Sequence, residues 1–267
     1  MNPPSDHNHP VRIEFDLLKS IRGLEHGVFT RHGGVSEPPY ATLNTAWNNG
    51  DSPEAVSENL ERIKKAMGID HLVSGLQVHG DTIHVVNDEV LSRARIHPPV
   101  RITPPGDALV TALSGIGIMT KIADCQAILL ADPVRRVVAN VHSGWRGSVV
   151  NIAGKTVEIM EERFGSRPGD IVAAISPSLG PCCAEFRNYL DELPPHFRRY
   201  QVKPLHFDFW RITRMQLMKA GLRPEHIEAA ERCTVCGVRD FFSYRAEKVT
   251  GRMAAVIAWR RGGEDAI

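Results

Sequence analysis

The chain has 267 residues, 42% of them apolar, and a formal net charge of +1. That length and composition suit one large globular domain, or two small ones, with a sizeable core. The near-zero charge gives no bulk electrostatic case for nucleic acid or a membrane surface, and no run approaches the ~20 apolar residues of a spanning helix.

Residues 1–10 are polar, rich in Asn, Pro and His, and lack the apolar core of a secretory signal. They are expected to be a disordered tail before one domain over 11–267, in a cytoplasmic protein. Five cysteines are present, Cys125, Cys182, Cys183, Cys233 and Cys236. An odd count with two neighbours argues for free thiols in a reducing compartment rather than a disulfide framework.

Residues 11–30 end in the apolar Gly27-Val28-Phe29-Thr30, read as a strand, followed by the Gly-rich turn Arg31-His32-Gly33-Gly34-Val35-Ser36. Asp51, Pro53 and Glu54 mark a helix start, with Asp51 as the expected cap. Val56, Leu60, Ile63 and Met67 fall on one helical face, and Gly68 closes it. Leu72 to Val86 reads as strand, turn, strand, with Val78-His79-Gly80-Asp81 at the turn. Four prolines predict a loop over 88–106. Short apolar runs at 107–111, 116–120, 127–131 and 136–141 predict sheet strands.

A helix is predicted from about Ser148 to Phe164, a strand over 171–175, and a helix from an Asp208 cap to Ala220. Phe241–Tyr244 and Met253–Trp259 read as final strands. Strands and helices do not alternate regularly, so the expected class is α+β with a mixed sheet.

Three segments carry chemistry: Gln77-Val78-His79-Gly80, Ala123-Asp124-Cys125 and His142-Ser143-Gly144-Trp145-Arg146-Gly147. Two imidazoles and a thiolate suit Zn²⁺ with a fourth position open for water or substrate. Their long spacing proves nothing alone, and residue type alone favours ordinary histidines and a buried thiol. Asp124 is out of place in a core strand; it could orient a ligand or move a proton. Cys125 could equally be a nucleophile with His79 or His142 as its base.

Gly144 to Gly147 forms a turn before a helix, where free N–H groups favour an anion. Arg146, with Arg31 on its own Gly-rich turn, is a candidate anion contact, set against plain solvated arginines. Cys233-Thr234-Val235-Cys236 has the spacing of half a zinc knuckle but no second pair at knuckle distance. Adjacent Cys182 and Cys183 are expected to be poor co-ligands. Structural thiols are the expectation for all four.

These three segments, with Thr30–Ser36, Leu43-Asn44, Gly180-Pro181-Cys182-Cys183 and Phe242-Ser243-Tyr244-Arg245, resemble in order the laccase-domain (YfiH-like) family. Its members were once labelled multicopper polyphenol oxidases and are now described as purine nucleoside phosphorylases. The resemblance implies a four-layer α/β/β/α sandwich, also seen in a bacterial toxin with a Cys–His catalytic pair. It implies zinc on His79, Cys125 and His142, phosphorolysis of adenosine, inosine and methylthioadenosine, and deamination of adenosine. Asp124, Cys125 and Arg146 are then the catalytic candidates, and Arg31, Asn44 and Arg146 the substrate-binding ones. One departure is Ser143, where the family often has Ala.

The other readings are a copper polyphenol oxidase, a Cys/His hydrolase correcting peptidoglycan precursors, and a non-enzymatic zinc-binding partner protein. The oxidase is disfavoured because multicopper chemistry needs many His ligands, and the one paired His-x-His segment, His7-Asn8-His9, lies in the tail. The open three-ligand count argues against a purely structural zinc protein.

Overall fold

The computed structural model describes residues 9–261, so most of the predicted tail, with His7 and Asn8, lies outside the described residues. Two mixed sheets stack face to face. The first runs Arg12–Ile13, Leu24–Phe29, Met253–Trp259, Ile116–Ile122, His71–Leu76, Val100–Pro105, Arg95–His97. The second runs Ile227–Ala229, Val172–Ile175, Gln126–Asp132, Val137–Ser143, Ala108–Thr111, Ile83–Val85.

The two-residue period of a strand explains the layering. Leu129, Ala131 and Val138 point between the sheets, where they meet Val73, Ile118, Ala255 and Ile257 of the other sheet. Their neighbours Ile128, Leu130, Ala139 and Val141 point outward onto helices Ile152–Phe164 and Phe209–Lys219. On the far side, Ala254, Val256 and Ala258 meet Val56, Leu60, Ile63 and Met67 of helix Pro53–Met67. Both faces of the central strands are buried, which is why they read as continuous apolar runs. The result is the expected α/β/β/α sandwich. Among the described residues, no helix is long and apolar enough to cross a membrane.

One polar residue pins the sheets. Asn140 is fully buried, accepts from Thr120 Oγ1 at 2.8 Å, and donates to the carbonyls of Ile118 and Ala255 at 2.9 and 2.8 Å. These bonds cross the sandwich and fix its register. Two residues on, the same strand face presents His142.

Several local expectations are corrected. Ser52, not Asp51, caps helix Pro53–Met67, its hydroxyl accepting from Ala55 N at 3.3 Å. The stretch 88–106 is not a loop: it holds helix Asp88–Arg93 and the hairpin Arg95–His97 with Val100–Pro105. Its strands lie at and beside a sheet edge, where proline is tolerated. The helix predicted over 148–164 is two, Trp145–Val149 and Ile152–Phe164, broken where Asn151 turns left-handed (φ 57°) and caps the second. Phe241–Tyr244 forms no strand; Ser243 instead caps the short helix Tyr244–Glu247.

His26 ties the first sheet's edge to helix Asp16–Lys19, its Nε2 accepting from Phe15 N at 2.8 Å. Burial pushes its pKa from 6.5 down to about 4, against the pull of Glu14. Between those values the unfolded chain takes up a proton that the native chain refuses. Stability should therefore fall by up to about 3 kcal/mol as pH drops through that window. Urea midpoints at neutral pH and near pH 4.5 test this: His26→Gln should lose less than the wild type, and equal losses would reject it.

Candidate active site

The site lies where the two sheets part at one end. Gln77 docks the His79 turn onto the first sheet: its side-chain amide donates to Lys121 O at 2.8 Å and accepts from Lys121 N at 2.9 Å. The turn then wraps a buried carboxylate. Asp107 accepts from the backbone N–H groups of Val78, His79 and Gly80 at 3.2, 3.0 and 2.8 Å. It also meets His142 Nδ1 at 2.8 Å. Burial raises the Asp107 pKa, but the bonds to His142 and to these N–H groups outweigh it and hold the carboxyl below its ordinary range. Asp107 thus fixes both histidines at once, His79 through its backbone and His142 through its ring.

His79 sits at φ 60° and Asp124 at φ 89°, both in the left-handed region that costs an ordinary side chain about 1–2 kcal/mol. Cys125 follows Asp124, just ahead of strand Gln126–Asp132. His142 lies within the end of strand Val137–Ser143 rather than just beyond it. The donor atoms of His79, Cys125 and His142 all lie within 4.8 Å of one another. Because Asp107 occupies His142 Nδ1, Nε2 is the nitrogen left for the cluster.

Burial opposes ionising the Cys125 thiol, but His142 and His79 win and draw it down toward thiolate. Gly144 leaves little space beside them. A Cβ there would stand 3.0 Å from Cys125 Sγ and 3.1 Å from His79 Nδ1.

Two cavities meet at this cluster, sharing Ala123, Cys125 and Tyr244. One, of about 530 Å³, is polar and lined by His79, His142, Asn48, Asn49, Lys121 and Arg252 among others. The other, of about 270 Å³, is walled by Trp145, Phe186, Phe209 and Tyr244, with Gly144 and Arg245. Burial pushes Lys121 down to about 8.

The remaining predicted residues stand apart from the cluster or face inward. Asp124 lines the aromatic cavity, but its carboxylate already accepts from Thr234 Oγ1, Ser243 Oγ and Arg245 N at 2.6, 2.7 and 2.6 Å. The Arg31 guanidinium bonds Ala41 O, Val238 O and Glu247 at 3.0, 2.7 and 3.0 Å. Asn44 is fully buried and accepts from Arg252 N at 2.8 Å, which places it behind the cavity wall. Arg146 is exposed, stacks on Trp145 at 4.6 Å, and lines neither cavity.

Sequence reasoning missed Asp107, Lys121 and Arg252. Asp107 carried a signal, an acid directly ahead of an apolar strand; the two cations carried none.

Two stacked mixed sheets, covered by helices and holding an imidazole–thiol cluster at one end, define the class of protein. Residues 25–260 match the family model described as multi-copper polyphenol oxidoreductase laccase, and the chain belongs to that family. It is 34% identical over 251 residues to "Purine nucleoside phosphorylase YlmD" of Geobacillus stearothermophilus, covering 89% of this chain and 91% of that protein. It is 32% identical over 237 residues to "Purine nucleoside phosphorylase YfiH" of Escherichia coli, covering 85% and 90%. The crystal structure of the hypothetical protein YfiH from Bacillus licheniformis superposes with a TM-score of 0.84 at 29% identity, covering 96% of this chain and 98% of that one. That of YlmD from Geobacillus stearothermophilus superposes at 0.83 and 32% identity, covering 95% and 97%.

Proposed function

We propose that this protein is a zinc-dependent purine nucleoside phosphorylase, acting on adenosine, inosine and methylthioadenosine, and that it also deaminates adenosine. The carrying observation is the three-donor cluster at the junction of a cationic cavity and an aromatic one. The names of the similar proteins above support the same reaction class.

The donor set fits zinc: two imidazoles and a thiol drawn toward thiolate, with one imidazole oriented by a buried carboxylate. A bound zinc supplies a Lewis acid and an acidified water. His79, Cys125 and His142 would hold it.

The residues divide the substrate between the two cavities. Trp145, Phe186, Phe209 and Tyr244 offer a purine an aromatic bed. Lys121 and Arg252 place positive charge in the polar cavity, where phosphate would sit. In phosphorolysis a phosphate oxygen attacks the anomeric carbon. The bond from that carbon to the purine nitrogen breaks, and the base leaves with the electron pair. Lys121 and Arg252 orient the attacking anion, and the aromatic walls hold the base in line. Arg146 lies outside both cavities and acts through Trp145, a wall of the aromatic cavity, while Arg31 is a positioning residue that ties Ala41, Val238 and Glu247 together. Asp124, with its oxygens already occupied, acts as a positioning residue for the adjoining Cys125.

Hypoxanthine release from inosine, followed with and without phosphate, tests the reading. Release should require phosphate, and Arg252→Ala should raise KM for phosphate at least about tenfold more than KM for inosine. Phosphate-independent release, or an equal effect on both constants, would sink it.

A second reading has its own observation. Cys125, His142 and Asp107 line up as thiol, imidazole and orienting carboxylate, the arrangement of a Cys-nucleophile hydrolase. Peptidoglycan precursors are its candidate substrates. It has no need of His79 as a metal ligand, and this separates the two.

A further inference from the structure

The four cysteines outside the candidate active site meet where two turns join. Ser178 and Cys233 form an isolated parallel bridge, with Ser178 N donating to Arg232 O at 3.1 Å and Thr234 N to Ser178 O at 3.0 Å. Next along the chain, the N–H groups of Cys183 and Ala184 both donate to Gly180 O at 2.9 Å. That tight turn lets neighbouring Cys182 and Cys183 face one side, which an extended segment forbids. The two pairs, far apart in sequence, thus stand together as one group.

All four sulfurs lie within 4.8 Å of one another, and Cys236 Sγ is 3.6 Å from the sulfurs of both Cys182 and Cys183. A tetrahedral zinc with arms of ~2.3 Å has sulfur–sulfur edges of about 3.8 Å. The spacing therefore matches one ion and leaves no room for inorganic sulfide between the thiols. Gly180 N donates to Cys233 Sγ at 3.4 Å, the kind of contact that offsets thiolate charge. A Cβ at Gly180 would come within 2.9 Å of Cys233 Cβ, so glycine permits the approach.

We propose that Cys182, Cys183, Cys233 and Cys236 bind one structural zinc ion, separate from any ion at His79, Cys125 and His142. Four protein ligands close the site, so it holds structure and does no chemistry. It clamps the 180–183 turn to the 233–236 loop. Thr234, between two of its ligands, is one of the three groups holding Asp124. The ion therefore braces the floor of the aromatic cavity.

Metal content of the purified protein tests this independently of any nucleoside assay. The wild type should hold two equivalents of zinc, Cys125→Ala one, and Cys182→Ser/Cys236→Ser one. Cobalt added to metal-free Cys125→Ala protein should give the strong charge-transfer and visible bands of a tetrathiolate site. The proposal is overturned if the wild type holds a single equivalent that Cys125→Ala removes, or if those bands are absent. Should the double variant fail to fold, wild-type alkylation decides. Cys182 and Cys236 are exposed; zinc should slow their alkylation at least tenfold, and an unchanged rate or a Cys182–Cys236 disulfide rejects the site.

Discussion

His79→Ala is expected to lower phosphorolysis of inosine by about three orders of magnitude and to remove the metal bound beside Cys125. A Lewis acid contributes several kcal/mol, and each 1.36 kcal/mol is tenfold in rate. The side chain is exposed and its position already costs backbone strain. The melting temperature should therefore move by only a few degrees, so lost activity is not lost fold. Thiol-dependent hydrolysis through Cys125, His142 and Asp107 would survive the same change. A variant that keeps its phosphorolysis would reject the metal reading, and a surviving thiol-dependent activity would favour the hydrolase.

Asp107→Asn should weaken metal binding by about 10–100-fold, the usual cost of losing the partner that orients a histidine ligand. Asp107→Ala should go further. It strands three backbone N–H groups and the His142 ring nitrogen, for about 3 kcal/mol of stability as well as the site. Zinc titration and urea unfolding of both variants separate the two effects. If Asp107→Asn bound zinc as tightly as the wild type, the carboxylate would be a packing element only. The sign with pH follows. Asp107 is held below its ordinary carboxylate range, so it contributes stability at neutral pH that is lost as pH falls through its native value.

The strands were legible where both faces are apolar, as in Gln126–Asp132 and Met253–Trp259, whereas their stacking into a sandwich was implied only by the family resemblance. It was not legible over 88–106, where prolines hid two strands lying at and beside a sheet edge. The cluster of His79, Cys125 and His142 could be nominated from residue type, but only tertiary contact brings residues so far apart in sequence together. Asp107 looked like the first residue of a strand because its role is read in three dimensions, through a turn about thirty residues earlier. The grouping of the four cysteines was hidden for the same reason. Neither pair has a ligand spacing that completes itself, and the bridge between Ser178 and Cys233 that unites them is invisible in a local window.

Strand Met253–Trp259 lies between Leu24–Phe29 and Ile116–Ile122, the last described strand sitting inside the first sheet. During synthesis the N-terminal strands wait with an unpaired edge until residue 259 has left the ribosome. Such long-range closure is slow and exposes apolar surface meanwhile. Loss of even the last dozen described residues would open the sheet through its middle, so a nascent chain stalled there is a substrate for chaperones rather than a partly working protein.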